Sequence, residues 1–454
     1  MSERRPIPPP QAPSPPSHER AARADRWLIV AAAGLRAVAI GFAGVIFALY
    51  LITLGFDAWA IGVAVSLGLA GCAMGTALVI WMTDRIGRRA TLMWLSLGMA
   101  LGGAALALTM SRPLILLSVL LGMVNGMGRD RGAGLTIEQA MLPQTTTASH
   151  RTRAFAWYNL VIDAGHAVGA LLGGLPAWLR AHAELSPLAS YQMSWWVYSG
   201  LCVVVAGLAR RLSPAVEWSH HLPLPPGCGG LGGIAEVRLR RTRQVVGWQH
   251  NTLARRPLSP ASKSMVTRFA ALSGLDSLGG GFLTTAFLSY WFFRRFGVDE
   301  ALLGPLFFLV RMLNGLSHLG AAGLARRIGL VRTMVWTHLP SSVLLLTVPI
   351  APNLPVAILL FLIRESLVEM DVPTRQSYLV AIVPPEERIR AAGITNLTRS
   401  TAWAVAPLLG GSLAQTVSLS APLILGAGIK IVYDVLLYRA FRHVKPPEER
   451  ERSG

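Results

Sequence analysis

Apolar residues in this chain collect into long runs separated by short polar stretches. Each run covers about 20 residues, which as an α-helix is long enough to cross the roughly 30 Å of hydrocarbon in a bilayer. A helix also satisfies its own backbone hydrogen bonds, as an apolar solvent requires. The pattern predicts twelve membrane-spanning helices, at residues 30–54, 60–82, 91–111, 115–142, 154–178, 193–209, 266–293, 302–324, 331–350, 355–382, 391–416 and 422–441.

A long polar stretch divides these helices into two groups of six. We therefore expect an all-α polytopic membrane protein with an N-terminal six-helix bundle at 27–211 and a C-terminal one at 263–442. Residues 212–262 are rich in Gly, Pro and Arg and are predicted to form a cytoplasmic linker. The Pro-rich segment 1–26 is predicted to be a disordered cytoplasmic tail, and 443–454 a second cytoplasmic tail.

Composition and charge support this fold class. Hydrophobic residues make up 52% of the chain and charged residues only 14%, whereas a soluble domain averages about 25% charged residues. The net charge of +19 is concentrated in the tails, the linker and the short loops of one side, which is typical of the cytoplasmic side. We therefore expect both termini in the cytoplasm, a bacterial-type inner membrane, and no nucleic-acid partner. The loop arginines are Arg85, Arg88, Arg89, Arg151, Arg153, Arg326, Arg327, Arg332, Arg388 and Arg390.

Signatures of catalysis are missing from the sequence. Its three cysteines, Cys72, Cys202 and Cys228, are too few and too scattered for a disulfide framework or a zinc site. There is no nucleophile–base motif and no phosphate-cradling GxxxxGK[ST] motif. We expect neither an enzyme nor ATP-driven transport, and neither a metal nor another cofactor.

The two halves of the chain resemble each other. GLRAVAIGFAGVIFALY, which begins at Gly34, matches GLDSLGGGFLTTAFLSY, which begins at Gly274. Further along, GRDRG matches EMDVP and sets Asp130 against Asp371. Duplicated bundles around a site at mid-depth are a common plan of secondary transporters, because two similar halves can rock about one site.

Two motifs resemble those of a known family. TDRIGRR, at 83–89, resembles the loop between the second and third helices of the major facilitator superfamily. GHAVGALLGG, at 165–174, resembles the glycine-rich fifth-helix motif of its antiporter branch. The resemblance implies a central cavity lined by the first, fourth, seventh and tenth helices. The chain departs from the family at Ile80, where the loop motif begins with glycine, and at Ala170, where the glycine motif has proline.

The loop motif has two interpretations. Arg85, Arg88 and Arg89 hold the loop on the cytoplasmic side, and Gly87 permits a tight turn. The resemblance implies in addition that Asp84 latches onto helix ends of the other half and so locks one conformation. An anion near a helix N-terminus is favourable, which makes such a latch physically reasonable.

Ionisable residues also fall inside the predicted helices, where facing lipid would cost several kcal/mol. We expect them to face the bundle interior or a watery cavity. Arg36 and Asp276 occupy matching positions of the first and seventh helices, and either pair across the cavity or are satisfied within their own bundles. The candidates to receive an anionic group of a substrate are Arg129, Arg131, Arg311 and Arg375.

Asp130 and Asp371 are the candidates for proton exchange. Each falls near the middle of its predicted helix, the fourth and the tenth. A carboxyl in a dry site tends to keep its proton, whereas a neighbouring arginine favours the charged form. A substrate that competes for the arginine would therefore change proton occupancy. The alternative is a purely structural network of charges that braces the helix.

Small residues complete the set of candidate positions. They let membrane helices approach closely, as a hinge or a seal between helices requires. The candidates are Gly165, Gly169, Gly173, Gly174, Gly410 and Gly411.

These observations predict a secondary active transporter that moves a small organic solute by alternating access and works as a monomer in the lipid bilayer. The glycine motif favours export as the direction of transport, and Asp130 and Asp371 are the basis for expecting proton coupling. An uptake permease or facilitator is the alternative within the class. A non-transporting membrane sensor, or an enzyme embedded in a transporter scaffold, is the alternative outside it.

Overall fold

The computed structural model describes residues 16–130, 132–146, 150–217, 258–384 and 387–444. This part of the chain forms α-helices joined by short turns. The helices are α1 (Pro16–Thr53), α2 (Ala58–Ile86), α3 (Arg88–Leu108), α4 (Arg112–Leu121), α5 (Ala133–Met141), α6 (Arg151–Leu172), α7 (Leu175–Ala183), α8 (Pro187–Arg210), α9 (Pro260–Gly281), α10 (Thr285–Phe296), α11 (Glu300–Ile328), α12 (Leu330–Thr347), α13 (Leu354–Val368), α14 (Asp371–Ile382), α15 (Arg388–Thr416) and α16 (Ala421–Phe441).

These helices make twelve passes, which confirms the predicted fold class. In the described residues, eight helical spans are long and apolar enough to cross a membrane. The other four passes are the fourth (α4 and α5), the seventh (α9 and α10), the tenth (α13 and α14) and the eleventh (α15). Three of these are interrupted between their two helices, and the eleventh is rich in polar residues in its first half.

The fourth pass is not the continuous helix that the apolar pattern predicts. α4 ends at Leu121 and α5 begins only at Ala133. The segment between them, GMVNGMGRDRG, contains four glycines, which weaken a helix. Gly128 adopts φ of +67°, a conformation that residues with a side chain seldom occupy. The prediction that Asp130 lies on a helix was therefore wrong, since it lies in the interruption.

The predicted boundaries of the first bundle also shift. Residues 16–26 belong to α1 rather than to a disordered tail, because SHERAARADR is rich in good helix formers. Asp25 accepts hydrogen bonds from the backbone N–H and the hydroxyl of Ser213, at 2.8 and 2.5 Å. The predicted linker is shorter at both ends, since 212–217 pack back onto the bundle and α9 begins at Pro260. Residues 1–15, 218–257 and 445–454 of the predicted tails and linker lie outside the described residues.

The two bundles meet at one end, which we call the closed end. It carries the turns 54–57 and 297–299. There α2 packs on α15 so tightly that a Cβ on Gly411 would lie 3.0 Å from the Cα of Gly62. The opposite end carries the turns at Gly87 and Gly329 and many arginines, and we call it the basic end.

Candidate functional site

A cavity of about 650 Å³ lies between the bundles at mid-depth and is lined by both of them. That volume is in the range of sites for small organic molecules. Residues from the first halves of α6 and α15 line it, so it extends from mid-depth toward the basic end. Its charged side chains are Arg129, Arg311, Arg364, Arg375, Arg399 and Lys430, and Asp130, Asp163, Asp276, Glu365, Glu369 and Asp371.

Arg36 is the centre of a buried charge cluster in the N-terminal bundle. Its Nε lies 2.7 Å from Asp130 Oδ2, and its two terminal nitrogens lie 2.5 and 2.6 Å from the two oxygens of Glu138. The hydroxyl of Tyr158 donates to Glu138 at 2.9 Å. Arg36 is 3% exposed and Glu138 is fully buried. One cation therefore holds two carboxylates inside this bundle.

Asp276, the counterpart of Arg36, has the opposite arrangement in the C-terminal bundle. Its Oδ2 lies 2.7 Å from Arg375 Nη1 and its Oδ1 lies 2.8 Å from Lys430 Nζ. Arg375 Nη1 also lies 3.1 Å from Asp371. One anion therefore holds two cations. Of the two alternatives for the Arg36 and Asp276 positions, the structure has each satisfied within its own bundle.

His338, which also lines the cavity, connects the C-terminal cluster to the buried Asp434. Its Nε2 lies 3.2 Å from Lys430 Nζ, and its Nδ1 lies 2.9 Å from Asp434 Oδ1. The same Nε2 lies 3.5 Å from Asp276 Oδ1, so the imidazole lies between the carboxylates of Asp276 and Asp434. A chain of hydrogen bonds thus runs from Asp276 through Lys430 and His338 to Asp434.

The interruptions of the fourth and seventh passes meet at mid-depth. The backbone N–H of Ala286 donates to the carbonyl of Gly126 at 2.8 Å, and the hydroxyl of Thr285 donates to the carbonyl of Met127 at 2.9 Å. Arg311 Nη2 donates to the carbonyl of Gly128 at 3.0 Å. Backbone groups released from helical hydrogen bonding thus join the two bundles, as in transporters built with discontinuous helices.

An ion pair also crosses between the bundles in the cavity. Arg129 Nη1 lies 2.7 Å from Glu369 Oε1, at side-chain exposures of 24% and 17%. Beside Arg129, the backbone N–H of Asp130 donates to Nε2 of the buried His166 at 2.9 Å. Arg131, the third charged residue of this run, lies outside the described residues.

A second cross-bundle cluster closes the cavity at the closed end. Glu300, which is 1% exposed, belongs to the C-terminal bundle. It lies 2.5 Å from Arg180 Nη2 and accepts a hydrogen bond from the hydroxyl of Tyr191 at 3.0 Å, both in the N-terminal bundle. Arg180 also lies over the ring of Tyr191. These contacts stabilise the closure at this end.

Comparison with known proteins assigns the chain to a family. The family model described as Major Facilitator Superfamily matches residues 29–368 and 270–454. The chain belongs to the major facilitator superfamily. It is 25% identical over 421 residues to the uncharacterized membrane protein YJR124C of Saccharomyces cerevisiae, covering 92% of this chain and 94% of the relative.

Solved structures of transporters share the major facilitator fold of this chain. A crystal structure of a D-xylose-proton symporter has a TM-score of 0.67 at 14% identity, covering 91% of this chain and 97% of the other. The inward open conformation of the xylose transporter XylE from E. coli has a TM-score of 0.66 at 15% identity, covering 94% and 99%. Family and fold are thus those of membrane transporters.

The superfamily loop motif ends in a turn that is tied to its own bundle. Gly87, with φ of +85°, joins α2 to α3. Glu217 accepts hydrogen bonds from the backbone N–H groups of Arg88 and Arg89 at 2.7 and 3.1 Å. A carboxylate at the start of α3 is favourable because backbone N–H groups are unpaired there.

Asp84 and Arg85 occupy the last turn of α2, just before this turn. Arg85 is exposed. The side chain of Asp84 is not among those described, so its role as a latch to the other half stays a prediction.

The glycines of the superfamily's fifth-helix motif lie at close helix contacts. A Cβ on Gly165 would lie 2.5 Å from the carbonyl oxygen of Gly34, so α6 contacts the backbone of α1. Gly169 and Gly173 also pack against α1, and Gly174 lies at the bundle interface beside Glu300 and Ala301. In the C-terminal bundle, Gly410 packs against Phe282, and Gly411 packs against Ala58 and Gly62 of α2.

Some charged residues of the site were not among the sequence candidates. Lys430 and Asp434 lie four residues apart in the apolar twelfth pass, and Arg399 lies in the eleventh. A lysine and an aspartate at that spacing share one helix face, and their presence in a membrane helix is the signal that could have identified them. Nothing comparable in the sequence indicates that His338 joins them.

Proposed function

We propose that this transporter moves a small organic solute by alternating access, with proton-coupled export as its direction. The observation that carries the proposal is the cavity of about 650 Å³, which both bundles line and which the Glu300 cluster closes at one end. A site between two similar bundles can be exposed to either side when they rock about it. Export is the direction favoured by the glycine motif of α6.

The basic end is proposed to face the cytoplasm, together with both termini. Short arginine-rich loops are retained on that side of a membrane. The structure would then be the inward-facing state, since the cavity extends toward the basic end. The yeast relative extends the similarity to a eukaryotic membrane protein, so we propose cytoplasmic termini without assigning one type of membrane.

Asp130 and Asp371 are the proposed proton sites, and each lies beside an arginine. Asp130 lies 2.7 Å from Arg36, and Asp371 lies 3.1 Å from Arg375. A solute that draws Arg375 away leaves the Asp371 carboxylate uncompensated, which favours its protonated form. Solute and proton occupancy are thereby linked.

Uptake is the second candidate, and this same contact favours it. If a solute anion takes Arg375 and Asp371 then takes a proton, the two bind together and travel in the same direction. Export driven by proton entry instead requires that solute binding and proton binding to the transporter exclude each other. The sign of the proton flux therefore distinguishes the two directions.

We expect the purified protein in proteoliposomes to move at least one solute of a labelled panel when a pH gradient is imposed. Asp130→Asn and Asp371→Asn are each expected to reduce gradient-driven flux by at least about tenfold. A tenfold change corresponds to roughly 1.4 kcal/mol, which is the size of one interaction lost at the site. Glu184→Gln, at an exposed turn, is the control and should transport normally.

Unchanged gradient-driven flux in both aspartate variants would refute proton coupling at these residues. If no solute of a broad panel moves under any gradient, the sensor alternative is favoured over transport.

A further inference from the structure

Two arginines of the cavity have no carboxylate at ion-pair distance among the described residues: Arg311 and Arg399. The other four cationic side chains that line the cavity each have one. Arg129 lies 2.7 Å from Glu369, Arg364 contacts Glu365, and Arg375 and Lys430 lie 2.7 and 2.8 Å from Asp276.

Neutral groups hold both unpaired arginines in place. Arg311 Nη2 donates to the carbonyl of Gly128 at 3.0 Å and to the hydroxyl of Thr285 at 3.2 Å. Arg399 Nε donates to the hydroxyl of Ser277 at 3.0 Å. A guanidinium has five N–H donors. Further donors of both side chains therefore remain available to a molecule in the cavity.

An unpaired cation at mid-depth in a membrane protein is unfavourable and marks a functional position. These two side chains are oriented by their partners without being neutralised by them. A guanidinium binds carboxylate or phosphate oxygens with two parallel hydrogen bonds. We propose that the transported solute is an organic anion and that Arg311 and Arg399 are its two docking cations. This inference rests on the proposed transport function and adds the chemical class of the solute.

The positions of the two arginines indicate the shape of that anion. Their hydroxyl partners differ in position along the seventh pass, since Ser277 lies in α9 and Thr285 is the first residue of α10, so the two arginines lie at different depths of the cavity. The indole of Trp403 lies at an intermediate depth, 3.0 Å from where a Cβ of Gly280 would be. The cavity thus fits an elongated anion with a negative group at each end and an apolar middle.

The test is ligand-dependent thermal stabilisation of the full-length protein in detergent at constant ionic strength. The probes are linear α,ω-dicarboxylates of increasing length, the matching bisphosphonates, and the neutral diamides. We expect at least one anionic series to raise the unfolding temperature saturably and the diamides to leave it unchanged. The series that binds identifies whether carboxylate or phosphate chemistry is preferred.

Arg311→Gln and Arg399→Gln should each weaken the apparent affinity for the best anion by at least about tenfold, the loss of one charge-assisted hydrogen bond. Arg295→Gln is the matched control, because Arg295 is exposed at the closed end and outside the cavity. If a glutamine variant does not fold, the lysine variant of the same position keeps the charge, loses the two-pronged contact and should also bind more weakly.

Equal stabilisation by diamides and acids, or unchanged affinity in both arginine variants, would overturn the inference. Its failure is distinguishable from that of the transport proposal. Arginine-dependent binding of anions without flux would refute transport and leave the anion site standing. Flux of neutral solutes without anion binding would refute the anion site and leave the transport proposal standing.

Discussion

Replacing Arg36 by glutamine is expected to destabilise the protein by about 3–5 kcal/mol, the usual effect of removing one partner from a buried charge cluster. The change leaves Asp130 and Glu138 without their cation, and both are buried, at 8% and 0% exposure. Each carboxyl must then lose its charge or remain unpaired in a poorly solvated site. The unfolding temperature of the purified protein measures the effect.

The matched control combines Arg36→Gln with Asp130→Asn and Glu138→Gln. It removes the charges together, and the two amides keep the shape of the carboxyl groups that they replace, so most of the lost stability should return. An Arg36→Gln protein that unfolds at the wild-type temperature would show that Arg36 does not hold these carboxylates.

Replacing Gly411 by leucine is expected to prevent closure at the closed end and to lower transport at least about tenfold, a shift of roughly 1.4 kcal/mol against the closed arrangement. A Cβ at this position would lie 3.0 Å from the Cα of Gly62 and still closer to the carbonyl of Ala58. Both are backbone atoms of α2, which cannot move aside as a flexible side chain can. The cavity should then become accessible from the closed end.

Labelling with a membrane-impermeant maleimide measures this accessibility. The target is Leu160→Cys, which replaces a cavity-lining side chain that is 57% exposed. Cys228 is replaced by serine, while Cys72 and Cys202 are buried. Gly428→Leu is the control, since a Cβ there would have no neighbour within 4 Å. Identical labelling from the closed end in wild type and Gly411→Leu would contradict the assigned role of this contact.

Twelve passes and two related bundles could be predicted from the sequence because both follow from local apolar runs and their repetition. The interruption between Leu121 and Ala133 could not. Glycine is common in membrane helices, so glycines in an apolar run do not by themselves indicate a break. The break depends on Gly126 and Gly128, whose carbonyls bond to the other bundle. Those hydrogen bonds join residues that are distant in the sequence, so the sequence does not reveal them.

The candidate site, too, could be predicted from the sequence only in part. Matching positions in the two halves identified Arg36 and Asp276, because a charge in an apolar helix is visible from the sequence alone. Their partners Glu138 and Lys430 are 102 and 154 residues away. Which charges pair within a bundle is set by helix packing, which sequence spacing does not determine.

Distances between paired spin labels in lipid vesicles test most directly whether the two bundles rock about the cavity. One pair, Asp57→Cys and Ser418→Cys, spans the bundles at the closed end, and the other, Arg153→Cys and Arg327→Cys, spans them at the basic end; all four positions are exposed. With changing pH and with the best-binding anion, we predict that the closed-end distance lengthens as the basic-end distance shortens. Distances that stay fixed at both ends under every condition, or that lengthen together, would contradict alternating access.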